Sequence, residues 1–202
     1  MKKYFETEEK TVKLLEERIA RDGRIFEGDI LKVDNFLNHQ IDVDLMAQLS
    51  REFYKLFEKD NVNKVLTIEA SGIAVACLTA EQFGCPLVFA KKSRTSNMGN
   101  NEVYSSPVHS FTHNNDYNAI VSKNYLSPSD RVLIIDDFLA KGSALMALSD
   151  IVSQSGATVV GAGILIEKVY QGGGDLIRSR GIRVESLARI ASMDPVKGFV
   201  FE

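Results

Sequence analysis

The sequence has no long apolar run, few cysteines and no excess of either charge, and each absence removes a class of function. Its longest nearly apolar stretches, Ile73 to Ala80 and Val159 to Ile166, are about eight residues, far short of the roughly 20 that a membrane-spanning helix needs. Lys and Arg number 24 against 27 Asp and Glu, a net charge of -3, so no broad positive field draws in nucleic acid or an anionic membrane. Cys77 and Cys85 are the two cysteines, and their spacing suits buried thiols better than a disulfide or a Cys-x-x-Cys metal site. The first residues, Met1 to Glu6, pass straight into charge without an apolar signal region, the pattern of a cytoplasmic protein. No internal repeat or low-complexity tract is visible. A chain of 202 residues is expected to form one domain spanning 1–202.

What is present divides near residue 64. Before it, Val12, Leu15 and Ile19 recur at helical spacing ahead of Gly23, and Asp42 stands as N-cap of a second helix to about Phe57 with Leu45, Leu49, Phe53 and Leu56 inward. Between them, Leu31 to Gln40 reads as an extended piece and a turn. After it, short β-branched runs alternate with helical stretches, the pattern of βαβ units on a mostly parallel sheet. Strands are expected at Lys64 to Glu69, Pro86 to Ala90, Ala119 to Ser122, Val132 to Asp136, Ala157 to Glu167 and Val184 to Ala188. Helices are expected at Gly72 to Phe83, Ser143 to Gln154 and Asp175 to Arg180. Residues 91–118 fit neither period and are much longer than an ordinary connection, which points to a flexible lid with a hairpin at Val103 to Phe111.

The chemistry concentrates in Val132 to Ala144. An apolar strand ends in two adjacent carboxylates, Asp136 and Asp137, and a loop of small residues then opens a helix. Ligands of open α/β sheets bind at carboxyl ends of strands, and a helix N-terminus offers N–H groups to an anion. The loop therefore suits a phosphate, and the paired acids suit the hydroxyls of a ribose, which relieve their mutual repulsion. A P-loop is excluded because Lys141 precedes Gly142. A dinucleotide fingerprint is excluded because Gly161 and Gly163 lie inside a strand with Ile166 at the third glycine position.

The 132–144 stretch resembles the phosphoribosyl diphosphate (PRPP) motif of type I phosphoribosyltransferases. Leu31 to Asp34 with Phe36 to Gln40, Thr67 to Ile73, Ile166 to Lys168, and Val184 to Ile190 together resemble the bacterial xanthine phosphoribosyltransferases, from about Leu14 to the C-terminus. The resemblance implies the α/β type I phosphoribosyltransferase fold, a mostly parallel central sheet flanked by helices, with a small hood from residues 1–42 and the C-terminal strands. It implies that Asp136 and Asp137 are the catalytic carboxylates holding the ribose hydroxyls. Ala140, Lys141, Gly142, Ser143 and Ala144 would surround the 5′-phosphate, and Glu69, Ala70, Ser71 and Gly72 would form the diphosphate loop. Lys91, Lys92 and Arg94 would flank the diphosphate from the lid, and Leu31, Asn38 and Lys168 would contact xanthine. Mg2+ is expected through the diphosphate, with no direct protein site for a metal, and a homodimer is implied. The chain departs from the pattern at Ala140 and Lys141, and at Gly172 to Gly174, where an arginine is expected.

The resemblance implies purine salvage, in which xanthine and PRPP give xanthosine 5′-monophosphate and diphosphate. Two rivals are a phosphoribosyltransferase for hypoxanthine, guanine or adenine, and a non-catalytic PRPP-sensing regulator on the same fold. The short segment ahead of the hood and the negative net charge speak against the regulator's DNA-binding domain. Plainer readings hold elsewhere: His109 and His113 sit on a loop without metal-ligand spacing, His39 is a hydrogen-bonding residue of the hood, and Gly172 to Gly174 is a turn.

Overall fold

The β-branched runs beyond residue 64 form one sheet in the computed structural model, which describes residues 13–92, 102–110 and 115–202. Its strands are β3 (Lys64–Ile68), β4 (Leu87–Ala90), β7 (Arg131–Leu139), β8 (Thr158–Lys168), β9 (Val184–Asp194) and β10 (Gly198–Phe201). Among the described residues they are ordered β10-β9-β8-β7-β3-β4. All neighbours are parallel except β10, which turns back antiparallel on β9. Near-continuous apolar sequence is what a strand covered on both faces requires, and β7 is buried from Val132 through Asp137.

Helices α2 (Val43–Phe57) and α3 (Gly72–Phe83) cover one face of this sheet, where Leu49, Phe53 and Val75 meet Leu133 and Ile135. Helix α4 (Ser143–Gln154) covers the other, where Leu148 and Ile151 meet Ile134 and Ile164. The expected cap of α2 is present, since the Leu45 N–H donates to the Asp42 carboxylate at 3.1 Å. Its inner stripe ends on the fully buried Phe57, not on the half-buried Leu56. Phe57 lies against Gly161 of β8, where a Cβ on the glycine would stand 2.5 Å from the ring, so the helix rotates toward the gap the glycine leaves.

Five features differ from the sequence expectation. The helix expected ahead of Gly23 is present as α1 (13–22), but it is followed by a two-stranded hairpin, β1 (Arg24–Phe26) with β2 (Ile30–Lys32), whose turn uses positive φ at Gly28 and Asp29. A π-helical turn, Asp34–Asn38, follows. The segment from Val103 is not itself a hairpin; it is one strand, β5 (Val103–Ser110), paired with β6 (Asn115–Ser122). Short helix α5 (Gly173–Ser179) starts within the glycine run. The last strand is longer than expected and gains β10 as a partner.

The two ends of the chain meet. Leu15, Ile19, Leu31, Val33, Phe36 and Leu37 share one apolar cluster with Leu187 and Ile190, against which Met193, Phe199 and Phe201 also pack. Arg18 ties α1 to the start of α2 through a 2.8 Å bond to Asp42, and its guanidinium lies 5.0 Å from the Phe36 ring centroid. This assembly overhangs the carboxyl ends of β7 and β8. No helix among the described residues is long and apolar enough to cross a membrane.

Candidate active site

The connections leaving β3 and β7 go opposite ways: β3 passes through α3 to β4 at one side, and β7 through α4 to β8 at the other. Such a reversal leaves a crevice beyond the strand ends, flanked by two helix N-termini. Its depth here has a specific origin. Pairing between β3 and β7 stops at Leu66 with Ile134, whereas β7 continues beside β8 to Leu139 with Glu167. Asp136 and Asp137 are therefore strand residues whose β3 side is open.

Into that opening comes the loop Glu69 to Gly72. A Cβ on Gly72 would lie 3.0 Å from Asp136 Oδ1 and would collide with the Thr67 hydroxyl, so only glycine admits this approach. The Glu69–Ala70 peptide bond is cis. The Glu69 carboxylate accepts the Lys92 N–H at 2.6 Å, and the Lys92 ammonium lies 5.4 Å from the Tyr117 ring centroid. Asp136 is only 4% exposed, and its Oδ1 accepts the Asp137 N–H at 3.0 Å. Burial and the adjacent Asp137 push its carboxyl well above the usual carboxylate range, with the Lys92 charge opposing them.

The remaining residues line one open cavity of about 880 Å³. At one end lie the loop Ala140 to Gly142 and the first residues of α4, Ser143 and Ala144. Gly142 has φ +84° and serves as the helix N-cap, a conformation that glycine takes without steric cost. At the other end Leu31, Asn38 and Lys168 converge with Phe138, Asp29 and Tyr170. Lys168 is 9% exposed, donates to the Asp29 carbonyl at 2.6 Å and stands 5.7 Å from the Phe138 ring centroid. Burial lowers its pKa, and the Asp29 charge partly offsets that. The β5–β6 hairpin supplies a wall through Val108, His109 and Tyr117.

The structure thus brings together all the candidate residues that it describes except Lys91. Just past β4, the Lys92 backbone N–H meets Glu69 and its ammonium meets Tyr117, whereas Lys91 lines a second groove of about 360 Å³ with Phe89, Ile120 and Tyr125. Arg94, His113 and the middle of the expected lid lie outside the described residues. Phe138, Tyr117 and Asp29 were not legible as site residues. Phe138, next to the paired acids, carried the one available signal, whereas Tyr117 and Asp29 reach the cavity from antiparallel pairs that join segments the sequence reading left unplaced. The glycine run has a packing reason. A Cβ on Gly173 would collide with the Ala140 carbonyl oxygen, and one on Gly174 with the Glu167 carboxylate.

Comparison with known proteins gives the family. The family described as "Phosphoribosyl transferase domain" matches residues 32–176. A xanthine phosphoribosyltransferase of Lachnoclostridium phytofermentans is 53% identical over 189 residues, covering 94% of this chain and 97% of that protein. One from Finegoldia magna is 54% identical over 176 residues, 87% and 92% of the two chains. Among solved structures, the adenine phosphoribosyltransferase of Giardia lamblia, complexed with 9-deazaadenine, superposes with a TM-score of 0.75 at 18% identity, covering 88% of this chain and 98% of that one. The enzyme of Rhodothermus marinus gives 0.69 at 19% identity over 90% and 99%. At such identities the structural likeness concerns the fold, and the close relatives supply the rest: this chain belongs to the phosphoribosyltransferase family, among the xanthine phosphoribosyltransferases.

Proposed function

We propose that the protein transfers a phosphoribosyl group from PRPP to xanthine, forming xanthosine 5′-monophosphate and diphosphate. The observation that carries this reading is the continuity of one cavity from a phosphate-type loop, Ala140 to Ala144, to the donor Lys168. A phosphate seated at the α4 N-terminus meets free N–H groups and the positive end of the helix. The ribose then lies along Asp136 and Asp137, and the diphosphate meets Ser71, Gly72 and Lys92. Leu31 and Phe138 give apolar surface to a flat ring, and Asn38 and Lys168 give it polar partners.

In the reaction the purine nitrogen forms a bond to C1′ while the C1′–O bond to diphosphate breaks, the electron pair leaving on diphosphate and the purine N–H proton passing to solvent. Positive charge develops on the ribose ring and negative charge on the departing group. Fixed carboxylates beside the first, and N–H groups with the Lys92 ammonium beside the second, stabilise both. Mg2+ arriving on the diphosphate would neutralise the leaving group's charge.

A donor as highly charged as PRPP does not cross membranes, which supports a cytoplasmic address. We also infer a homodimer. The groove beside β4 and β6, where Phe89 is 41% and Tyr125 60% exposed, supports it, and light scattering giving a monomer mass would refute it. The reaction is tested by incubating the protein with xanthine, PRPP and Mg2+ and identifying products by mass spectrometry. Xanthosine 5′-monophosphate and diphosphate in equal amounts are expected; PRPP bound but unconsumed with every purine would favour a PRPP-sensing role.

A further inference from the structure

Glu167 precedes Lys168, the last residue of β8, but faces away from the cavity, and its carboxylate is 1% exposed. A buried carboxylate needs partners, and this one has several. Arg178 of α5 grips both oxygens at 2.8 Å, the Ser186 hydroxyl donates at 2.6 Å, and Arg189 lies 3.7 Å away. Burial alone would raise its pKa; the bonds from Arg178 and Ser186 and the charges of Arg178 and Arg189 outweigh it and keep the carboxyl below its ordinary value.

The ion pair does more than satisfy a charge. Helix α5 is held between two surfaces. Gly174 lies so close to the Glu167 carboxylate that a Cβ has no room, and a Cβ on Gly173 would collide with the Ala140 carbonyl oxygen. The Gly173 N–H donates to that carbonyl at 3.0 Å, and a Cβ on Gly173 would stand 2.7 Å from the Gly142 nitrogen. The loop Ala140 to Gly142 thus rests on the first turn of α5, and the Glu167–Arg178 pair holds that turn in place.

We infer that Glu167 and Arg178 are positioning residues for the phosphate loop: they act through α5 to preset the backbone N–H groups that receive the 5′-phosphate. The inference rests on the phosphoribosyl reading of the cavity. A loop held in its binding geometry before the anion arrives loses less on ordering, so loosening the clamp weakens the phosphate end and spares the base end.

The test is Arg178→Lys, which keeps the charge and removes the two-point grip, with Arg189→Ala as a variant that removes a partner of Glu167 belonging to β9 and not to α5. Ribose 5-phosphate binding is measured by calorimetry, and the KM values for PRPP and xanthine by steady-state kinetics. Arg178→Lys is expected to weaken ribose 5-phosphate binding and raise the PRPP KM at least fivefold. The xanthine KM and kcat at saturating PRPP should stay within twofold. Arg189→Ala should bind ribose 5-phosphate within twofold of the parent. If Arg178→Lys does not fold, Glu167→Gln carries the test with the same expected split. Unchanged ribose 5-phosphate binding, equal rises in both KM values, or an equal loss in Arg189→Ala overturns the inference. A parent protein that binds neither ribose 5-phosphate nor PRPP would instead overturn the phosphoribosyl reading itself.

Discussion

The ammonium of Lys168 donates a 2.6 Å hydrogen bond to the backbone carbonyl of Asp29, 139 residues away in the chain. The contact joins the end of a central strand to the turn of the β1–β2 hairpin, so one side chain both closes the cavity and points donors into it. An ammonium has three N–H groups and no acceptor. With one engaged by Asp29, the others suit an oxo group and are mismatched to an amino group.

Replacing Lys168 by Ala should therefore lower kcat/KM for xanthine at least tenfold, about 1.4 kcal/mol, and leave the PRPP KM within about twofold, because the phosphate loop belongs to a different connection. Steady-state kinetics with each substrate varied in turn checks it. Unaltered xanthine kinetics would remove Lys168 from the base site.

Asp136→Asn should reduce turnover at least tenfold, about 1.4 kcal/mol, while making the protein more stable at neutral pH. Burial and the Asp137 charge raise the folded-state pKa of Asp136 above its unfolded value. Its contribution to stability is then fully present below the unfolded pKa and is lost as pH rises through the folded one. The neutral asparagine escapes that loss. Melting curves should show the variant's advantage at pH 7 shrinking as the pH falls toward the ordinary carboxylate range. An advantage independent of pH would contradict the burial account.

Gly72→Ala is expected to cost about 1–3 kcal/mol of stability by overpacking and to impair turnover beyond that loss. The added methyl has Thr67 on one side and Asp136 on the other. Chemical denaturation and activity measured on the folded fraction separate the two effects. A fully active variant would show that the diphosphate loop does not need this approach to Asp136.

Lys91 and Lys92 should behave differently although they are adjacent. Lys92→Ala is expected to raise the PRPP KM about tenfold, a loss of about 1.4 kcal/mol, because its ammonium lies at Tyr117 and its charge reaches Asp136. Lys91→Ala should change it by less than about threefold, since that side chain lines the second groove. Equal effects would assign both lysines to the diphosphate.

Strong local signals made the catalytic edge legible in the sequence. The apolar run into Asp136 and Asp137, the small residues before α4, and Gly84 with its left-handed φ closing α3 each follow from one short stretch of chain. The parts that were not legible depend on partners distant in sequence. Strands of three residues such as Arg24–Phe26 are too short to show alternation. The facing of Lys92 over Lys91 depends on where β4 meets β6. The glycines at 173 and 174 look like a turn until the Ala140 carbonyl and the Glu167 carboxylate are seen beside them.

The central claim is a transfer to an oxopurine, and competition between purines tests it most directly. With PRPP and Mg2+ held at saturation, kcat/KM is measured for xanthine, hypoxanthine, guanine and adenine. A base site built from donors rejects a ring that presents an amino group in place of the acceptor, by roughly 10⁴ or more where site groups are left unpaired. Xanthine is expected to be the best substrate and adenine to be nearly inert. Adenine equal to or better than xanthine would contradict the account.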